Sequence, residues 1–129
     1  MLQHESFGDV AEEVSSIIGG GGLNLLINNA GVSPRSTRIN YVSADQMNET
    51  FAVNTISPLL LTKAFLPLLK EAANSESDES EEYHINKPFV VNMSSILGSI
   101  AENTGDHSGG LYPYRCSKVR KQFIILIMD

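Results

Sequence analysis

The sequence predicts an α/β fold built on parallel strands, and three observations carry that expectation. Helical and strand-like patterning alternate along the chain as helix, strand, helix, strand, helix. The two strand-like runs are short, apolar and nearly uninterrupted, which is the habit of strands covered on both faces. The connection between them is long enough for a right-handed crossover. With 129 residues, 42% of them apolar, the chain can build one small core.

In residues 4–18, Phe7, Val10, Ala11, Val14, Ile17 and Ile18 recur at helical spacing, with Asp9, Glu12, Glu13 and Ser16 on the other side. Gly19 follows the last apolar residue and can take the left-handed conformation that closes a helix. The run Gly19–Gly22 then reads as a connection. Leu23-Asn24-Leu25-Leu26-Ile27, bounded by glycine before and Asn28-Asn29-Ala30-Gly31 after, is the first strand. A polar loop with Pro34, Arg35 and Arg38 follows. Ser43 has the chemistry of an N-cap, and Gln46 completes a capping box. Met47 and Phe51 share one face of the short helix that this starts. Thr55–Ala73 is apolar nearly all round, with Lys63 and Lys70 on a narrow polar edge. Such a helix needs cover on more than one side, from a sheet and from a second subunit. Pro58 fits a first turn, while Pro67 should bend the helix. Residues 74–87 are acidic, serine-rich and free of apolar periodicity, and read as an inserted surface loop. Phe89–Met93 is the second strand and ends at Ser94-Ser95. A glycine-rich loop, 98–110, leads to a third helix starting within Tyr112–Lys118. A sheet of only two strands is marginal on its own.

Charge and composition exclude several function classes. The net charge is -6, but five of the fifteen acids lie between Glu76 and Glu82, so the rest of the chain is close to neutral. It has no basic stripe of the kind that neutralises nucleic-acid phosphates. The apolar stretches are interrupted or too short to suit a membrane span, and residues 1–20 lack the pattern of a secretory signal. The single cysteine, Cys116, cannot form an internal disulfide, which fits a reduced, cytoplasmic setting. His4, His84 and His107 show no metal-ligand spacing, so no metal is assigned. Cys116 has no histidine or acid at a recognisable spacing and reads as a packing residue.

Four places carry groups suited to chemistry. Tyr114 and Lys118 stand four residues apart and share a helix face. The ammonium favours the phenolate and readies the phenol to give or take a proton at a carbonyl or alcohol oxygen. Many helices have this spacing by chance. Ser94-Ser95 ends a buried strand, on the edge where open α/β sheets bind ligands, although a strand-ending turn explains it as well. Asn28-Asn29-Ala30-Gly31 occupies the same edge after the first strand, where small residues let a ligand approach the backbone. Asn54, at the head of the apolar helix, is polar where cover is expected, and a cap is its plain explanation.

Together these features resemble the short-chain dehydrogenase/reductase family. Asn28-Asn29-Ala30-Gly31 is similar to the family's Asn-Asn-Ala-Gly signature. Phe51-Ala-Val-Asn54 with the apolar helix resembles the helix of its catalytic asparagine. Asn92-Met-Ser-Ser95 resembles the strand ending in the catalytic serine, and Tyr114-x-x-x-Lys118 the active-site Tyr-x-x-x-Lys. The four occur in the family's order and the likeness runs from residue 1 to about 121. Asn-Met-Ser-Ser-Ile-Leu-Gly-Ser, with an insertion before the tyrosine, is similar to the Sniffer and C-factor-like carbonyl reductase subgroup. The resemblance implies a partial, incomplete Rossmann-like domain over 1–129, a doubly wound parallel sheet in three α-β-α layers. It implies Tyr114 as general acid/base, Lys118 as its electrostatic partner and ligand of the nicotinamide ribose, and Ser95 as orienter of the substrate carbonyl. Ser94 is the rival serine, and Tyr112, followed four residues on by Cys116, is the rival tyrosine. Asn54 would hold a water in a proton relay. Asn28, Asn29, Ala30, Gly31, Tyr114 and Lys118 would meet NADP or NAD, with NADP favoured by the subgroup. A small carbonyl or alcohol is the implied substrate, and pairing of subunits through helix 55–73 the implied assembly.

The sequence also departs from the family. No Thr-Gly-x-x-x-Gly-x-Gly loop is present, and Gly19–Gly22 precedes a strand where the family's loop follows one. The tail Val119–Asp129 fits poorly, and Phe123–Met128 is an apolar patch in need of cover. Two expectations therefore stand side by side. One is a carbonyl-reducing oxidoreductase; the other is an inactive fragment or splice form that acts through subunit association.

Overall fold

The computed structural model describes residues 6–34, 38–74, 88–102 and 110–125, with side chains as far as Val119. The acidic loop 75–87, most of the glycine-rich loop and the end of the apolar tail lie outside the described residues. The chain divides into two compact units. One lies within Gln3–Asn28 and Leu60–Val91, the other within Asn29–Leu59 and Asn92–Asp129.

In the first unit, helix α1 (Ser6–Ile18) buries Ala11 with Val14 packed beside it, while Val10, Ile17 and Ile18 of its expected apolar stripe are exposed. Gly19, at φ 64°, closes the helix as expected, and a 3₁₀ turn spans Gly19–Gly21. Gly22 is at φ 68°, and a Cβ there would collide with the backbone of Ala72 and come within 2.7 Å of the Leu68 carbonyl. That close approach lets the Leu23 amide donate to the Leu68 carbonyl at 2.9 Å. Strands β1 (Leu25–Asn28) and β2 (Phe89–Asn92) form a two-stranded parallel sheet. Its core face carries Leu26 and Val90, packed with Phe65, Leu68 and Leu69 of helix α3 (Ser57–Asn74) and with Ala11 of α1.

Cover on both faces of these strands is not what the described residues show. Side chains alternate along each strand, and Leu25, Ile27, Phe89 and Val91 are exposed on the other face. Both helices of this unit pack on the Leu26–Val90 face, which leaves the second face open. The sequence is apolar on both faces; the layer for one of them is absent among the described residues.

In the second unit, helix α2 (Ala44–Phe51) begins at the expected capping box. Ser43 Oγ accepts from the Gln46 amide at 3.2 Å, and Gln46 Oε1 accepts from the Ser43 amide at 3.1 Å. Met47 and Phe51 are both half-buried. The helix then widens into a π turn, Ala52–Ile56, before α3 begins. Residues 44–74 make a 31-residue helical stretch whose length and mean hydropathy, 1.4 over its most apolar window, alone suffice to cross a bilayer. Within it Phe65, Leu68, Leu69 and Ala72 are buried, while Ile56, Leu59 and Leu66 are exposed. After β2, Ser95 caps a 3₁₀ turn at Ile96–Gly98. Helix α4 (Tyr112–Ile125) carries the Tyr-x-x-x-Lys segment, and Leu111, at φ 57°, makes the sharp entry to it.

Candidate active site

The second unit buries polar side chains where a core normally buries apolar ones. Asn54, Thr50, Pro113 and Ser117 are its largest fully enclosed residues, and Lys118 is 4% exposed. Buried polar groups persist only when partnered, so their partners define the site.

Asn54 sits inside the π turn and is no helix cap. Its Oδ1 accepts from the Val32 amide at 2.8 Å, and its Nδ2 donates to the Val32 carbonyl at 2.9 Å. The second Nδ2 hydrogen goes to Ser117 Oγ at 2.9 Å. One side chain thus pins the loop after β1 to α4. With both amide hydrogens engaged, a water at this residue would be met by its backbone carbonyl or the remaining lone pair of Oδ1.

Lys118 has two partners at its head group. Its Nζ donates to the Met93 carbonyl at 2.8 Å and lies 5.5 Å from the centroid of the Tyr114 ring, one helical turn earlier. A Cβ built on Gly31 would stand 3.4 Å from Asn54 Oδ1 and 3.5 Å from Lys118 Nζ. Gly31, Asn54, Lys118 and Tyr114 therefore form one cluster, with Tyr114 half-buried.

Ser95 lies between two anchors on Lys118. Met93 binds the ammonium, and Gly98 lies so close to α4 that a Cβ there would come 2.8 Å from the Lys118 carbonyl carbon and Cβ. The Ser95 hydroxyl accepts from the Leu97 amide at 3.2 Å, and Ser94 is exposed. The rival tyrosine, Tyr112, is 38% exposed, and Cys116, expected to be a packing residue, is free and exposed instead.

Asn28, in the first unit, is buried and its Nδ2 donates to Thr62 Oγ1 at 3.1 Å, tying β1 to α3. Asn29, Ala30 and Gly31 are exposed beyond the strand end. This chemistry fits a nicotinamide ribose. Small residues leave the backbone approachable, and the Lys118 ammonium has three donors, one of them on Met93. A separate open hollow of about 610 Å³, lined by Gly20, Pro67, Lys70, Glu71 and Asn74, holds none of these groups.

Sequence patterning did not single out Ser117, Gly98 or Val32. Ser117 alone left a trace, a small polar residue three positions after Tyr114 on a helix that must pack.

A family described as short chain dehydrogenase matches residues 1–119. The carbonyl reductase Sniffer of D. melanogaster is similar over 94% of this chain and 47% of its own, at 39% identity and a TM-score of 0.84. An NADPH-bound carbonyl reductase from chicken fatty liver is similar over 95% of this chain and 46% of its own, at 38% identity and a TM-score of 0.82. The C-signal protein of Myxococcus xanthus is 37% identical over 109 residues, which are 84% of this chain and 56% of that protein. The chain spans about half the length of these relatives.

Proposed function

The chain belongs to the short-chain dehydrogenase family, and from that premise we propose that it serves NAD(P)H-dependent reduction of a small-molecule carbonyl, or the reverse oxidation of an alcohol. The observation that carries the reading is the single cluster of Tyr114, Lys118, Asn54 and Gly31. When bound, the nicotinamide supplies the hydride. Tyr114 gives or takes the proton at the substrate oxygen. Lys118, held by Met93, stands beside the Tyr114 ring and offers N–H groups to the ribose. Ser95 orients the carbonyl by a hydrogen bond, exchanging its present bond from Leu97 for one to substrate. Asn54 keeps the strand-end loop and the catalytic helix in register, and with it any water held there. Asn29, Ala30 and Gly31 line the approach of the cofactor, while Asn28 supports them from within the core. NADP is favoured by the likeness to the NADPH-bound avian reductase, and a cytoplasmic setting goes with the unpaired Cys116.

The test is turnover of NADPH and NADH with a panel of aldehydes and ketones, comparing the parent chain with Tyr114→Phe. General acid/base catalysis contributes about 100-fold or more, so a drop of at least that size is expected. Equal rates would reject Tyr114 as the proton donor.

A second reading, favoured by the exposure of Ile56, Leu59 and Leu66, is a chain without turnover of its own that associates through the apolar helix. Calorimetric titration with NADP and NAD separates the two. Saturable binding argues for the enzyme reading; no heat with either cofactor, together with a stable dimer, argues for association.

A further inference from the structure

Ser117 is a fully enclosed hydroxyl to which the proton chemistry gives no task. Its Oγ donates to the Tyr114 carbonyl at 2.7 Å and accepts from Asn54 Nδ2 at 2.9 Å. Its own carbonyl accepts from Thr55 Oγ1 at 3.1 Å. The π turn therefore grips α4 twice at one residue, by an amide on the hydroxyl and by a hydroxyl on the carbonyl. Through Asn54 the connection continues to both backbone polar groups of Val32, next to Gly31.

We propose that Ser117 is a positioning residue whose hydroxyl holds Tyr114 and Lys118 in register with the Asn54–Val32 clamp. The argument is one of donors and acceptors. Asn54 Nδ2 has two hydrogens, and one goes to the Val32 carbonyl. The other, in a fully enclosed site, needs an acceptor, and Ser117 Oγ is that acceptor. A hydroxyl can receive this hydrogen while donating its own, and the donation goes to Tyr114's carbonyl, one turn back on the same helix. An alanine would fill the space but leave the amide hydrogen unpaired, so Asn54 would relax toward another partner and loosen its hold on Val32. The consequence reaches the site because Tyr114 and Lys118 flank Ser117 on one helix, and a Cβ at Gly31 would meet both Asn54 and Lys118. The purpose of this alignment rests on the oxidoreductase reading; the alignment itself does not.

The experiment uses the ¹⁵N-labelled 129-residue chain and its variants Ser117→Ala and Ser117→Thr. In Ser117→Ala, the Asn54 side-chain amide pair and the Gly31 and Val32 amides should shift while α1 resonances stay in place. Exchange of the Asn54 amide hydrogens should quicken about tenfold, the factor one net hydrogen bond is worth. Ser117→Thr, which keeps the hydroxyl but adds a methyl to an enclosed site, should move these resonances less than alanine does. Where the parent turns over, Ser117→Ala should lower kcat about tenfold on the same grounds with KM for the carbonyl nearly unchanged. If alanine prevents folding, Ser117→Cys, with the same shape and a weak thiol, should show the same shifts at smaller size. Unmoved Gly31 and Val32 amides in Ser117→Ala, or threonine shifted as far as alanine, would overturn the proposal. Absence of turnover in the parent would instead reject the oxidoreductase reading and leave the spectra to decide on Ser117.

Discussion

Asn54 commits its whole amide to partners inside the protein, and the cost of removing it follows from counting them. Asn54→Ala deprives the enclosed Ser117 Oγ, and the amide and carbonyl of the exposed Val32, of a partner. Water can replace the bonds to Val32, so the loss should be about 1–3 kcal/mol, the cost of a buried polar group left without its partner. Urea unfolding of the variant beside the parent measures it. A loss below about 0.5 kcal/mol, the range of an ordinary surface change, would show that these bonds are not formed in solution. The sequence made Tyr114 and Lys118 legible because helical spacing alone brings positions four apart together. It could not reveal Asn54's partner, because Val32 lies 22 residues away and offers only backbone. Ser117 was hidden for a different reason: a serine beside a lysine on a helix ordinarily faces water, and here both are buried.

At the scale of elements, the short turn after β2 depends on having no side chain at Gly98. A methyl group there would come 2.8 Å from the carbonyl carbon of Lys118, which is backbone and cannot rotate away. Gly98→Ala should therefore lift the Ile96–Gly98 turn off α4 and cost about 1–3 kcal/mol, the usual range for overpacking. Thermal and urea denaturation test this, and a melting temperature equal to the parent's would show that the turn does not sit so close. On the proposed reading the same substitution should weaken turnover more than cofactor binding, because Ser95 caps the turn that moves and Gly31 is not part of it. The elements themselves were readable where local chemistry decides them. The capping box at Ser43 and Gln46 and the left-handed Gly19 both stand where the sequence put them. The π turn was not readable, since nothing in Ala-Val-Asn-Thr-Ile distinguishes a widened turn from an ordinary one. It goes with a tertiary arrangement that the local sequence does not encode: from that bulge Asn54 reaches Val32 and Ser117 at once.

For the molecule as a whole, the open sheet face dominates behaviour in solution. Leu25, Ile27, Phe89 and Val91 put four apolar side chains on one face, with Ile27 53% exposed. Adjacent apolar exposure of this kind drives association. The chain alone should sediment with a concentration-dependent mass that ionic strength hardly reduces. Ile27→Lys combined with Val91→Lys should return it toward the monomer, because both side chains point away from the core. If the double variant associates as strongly as the parent, contact is made elsewhere. The apolar runs announced the strands but not which face lacks a helix, because burial on a second face depends on a layer that a strand's own residues do not encode.

The widened turn at Ala52–Ile56 has a genetic corollary. A helix that closes its bonds over five residues holds one residue more than an ordinary turn. Loss of a single codon there would let the helix tighten, swinging Asn54 by about 100° relative to Met47 and Phe51. Reading-frame-preserving deletions in this stretch should thus be tolerated far less well than conservative replacements of Val53, making chain length at this point a constraint of its own.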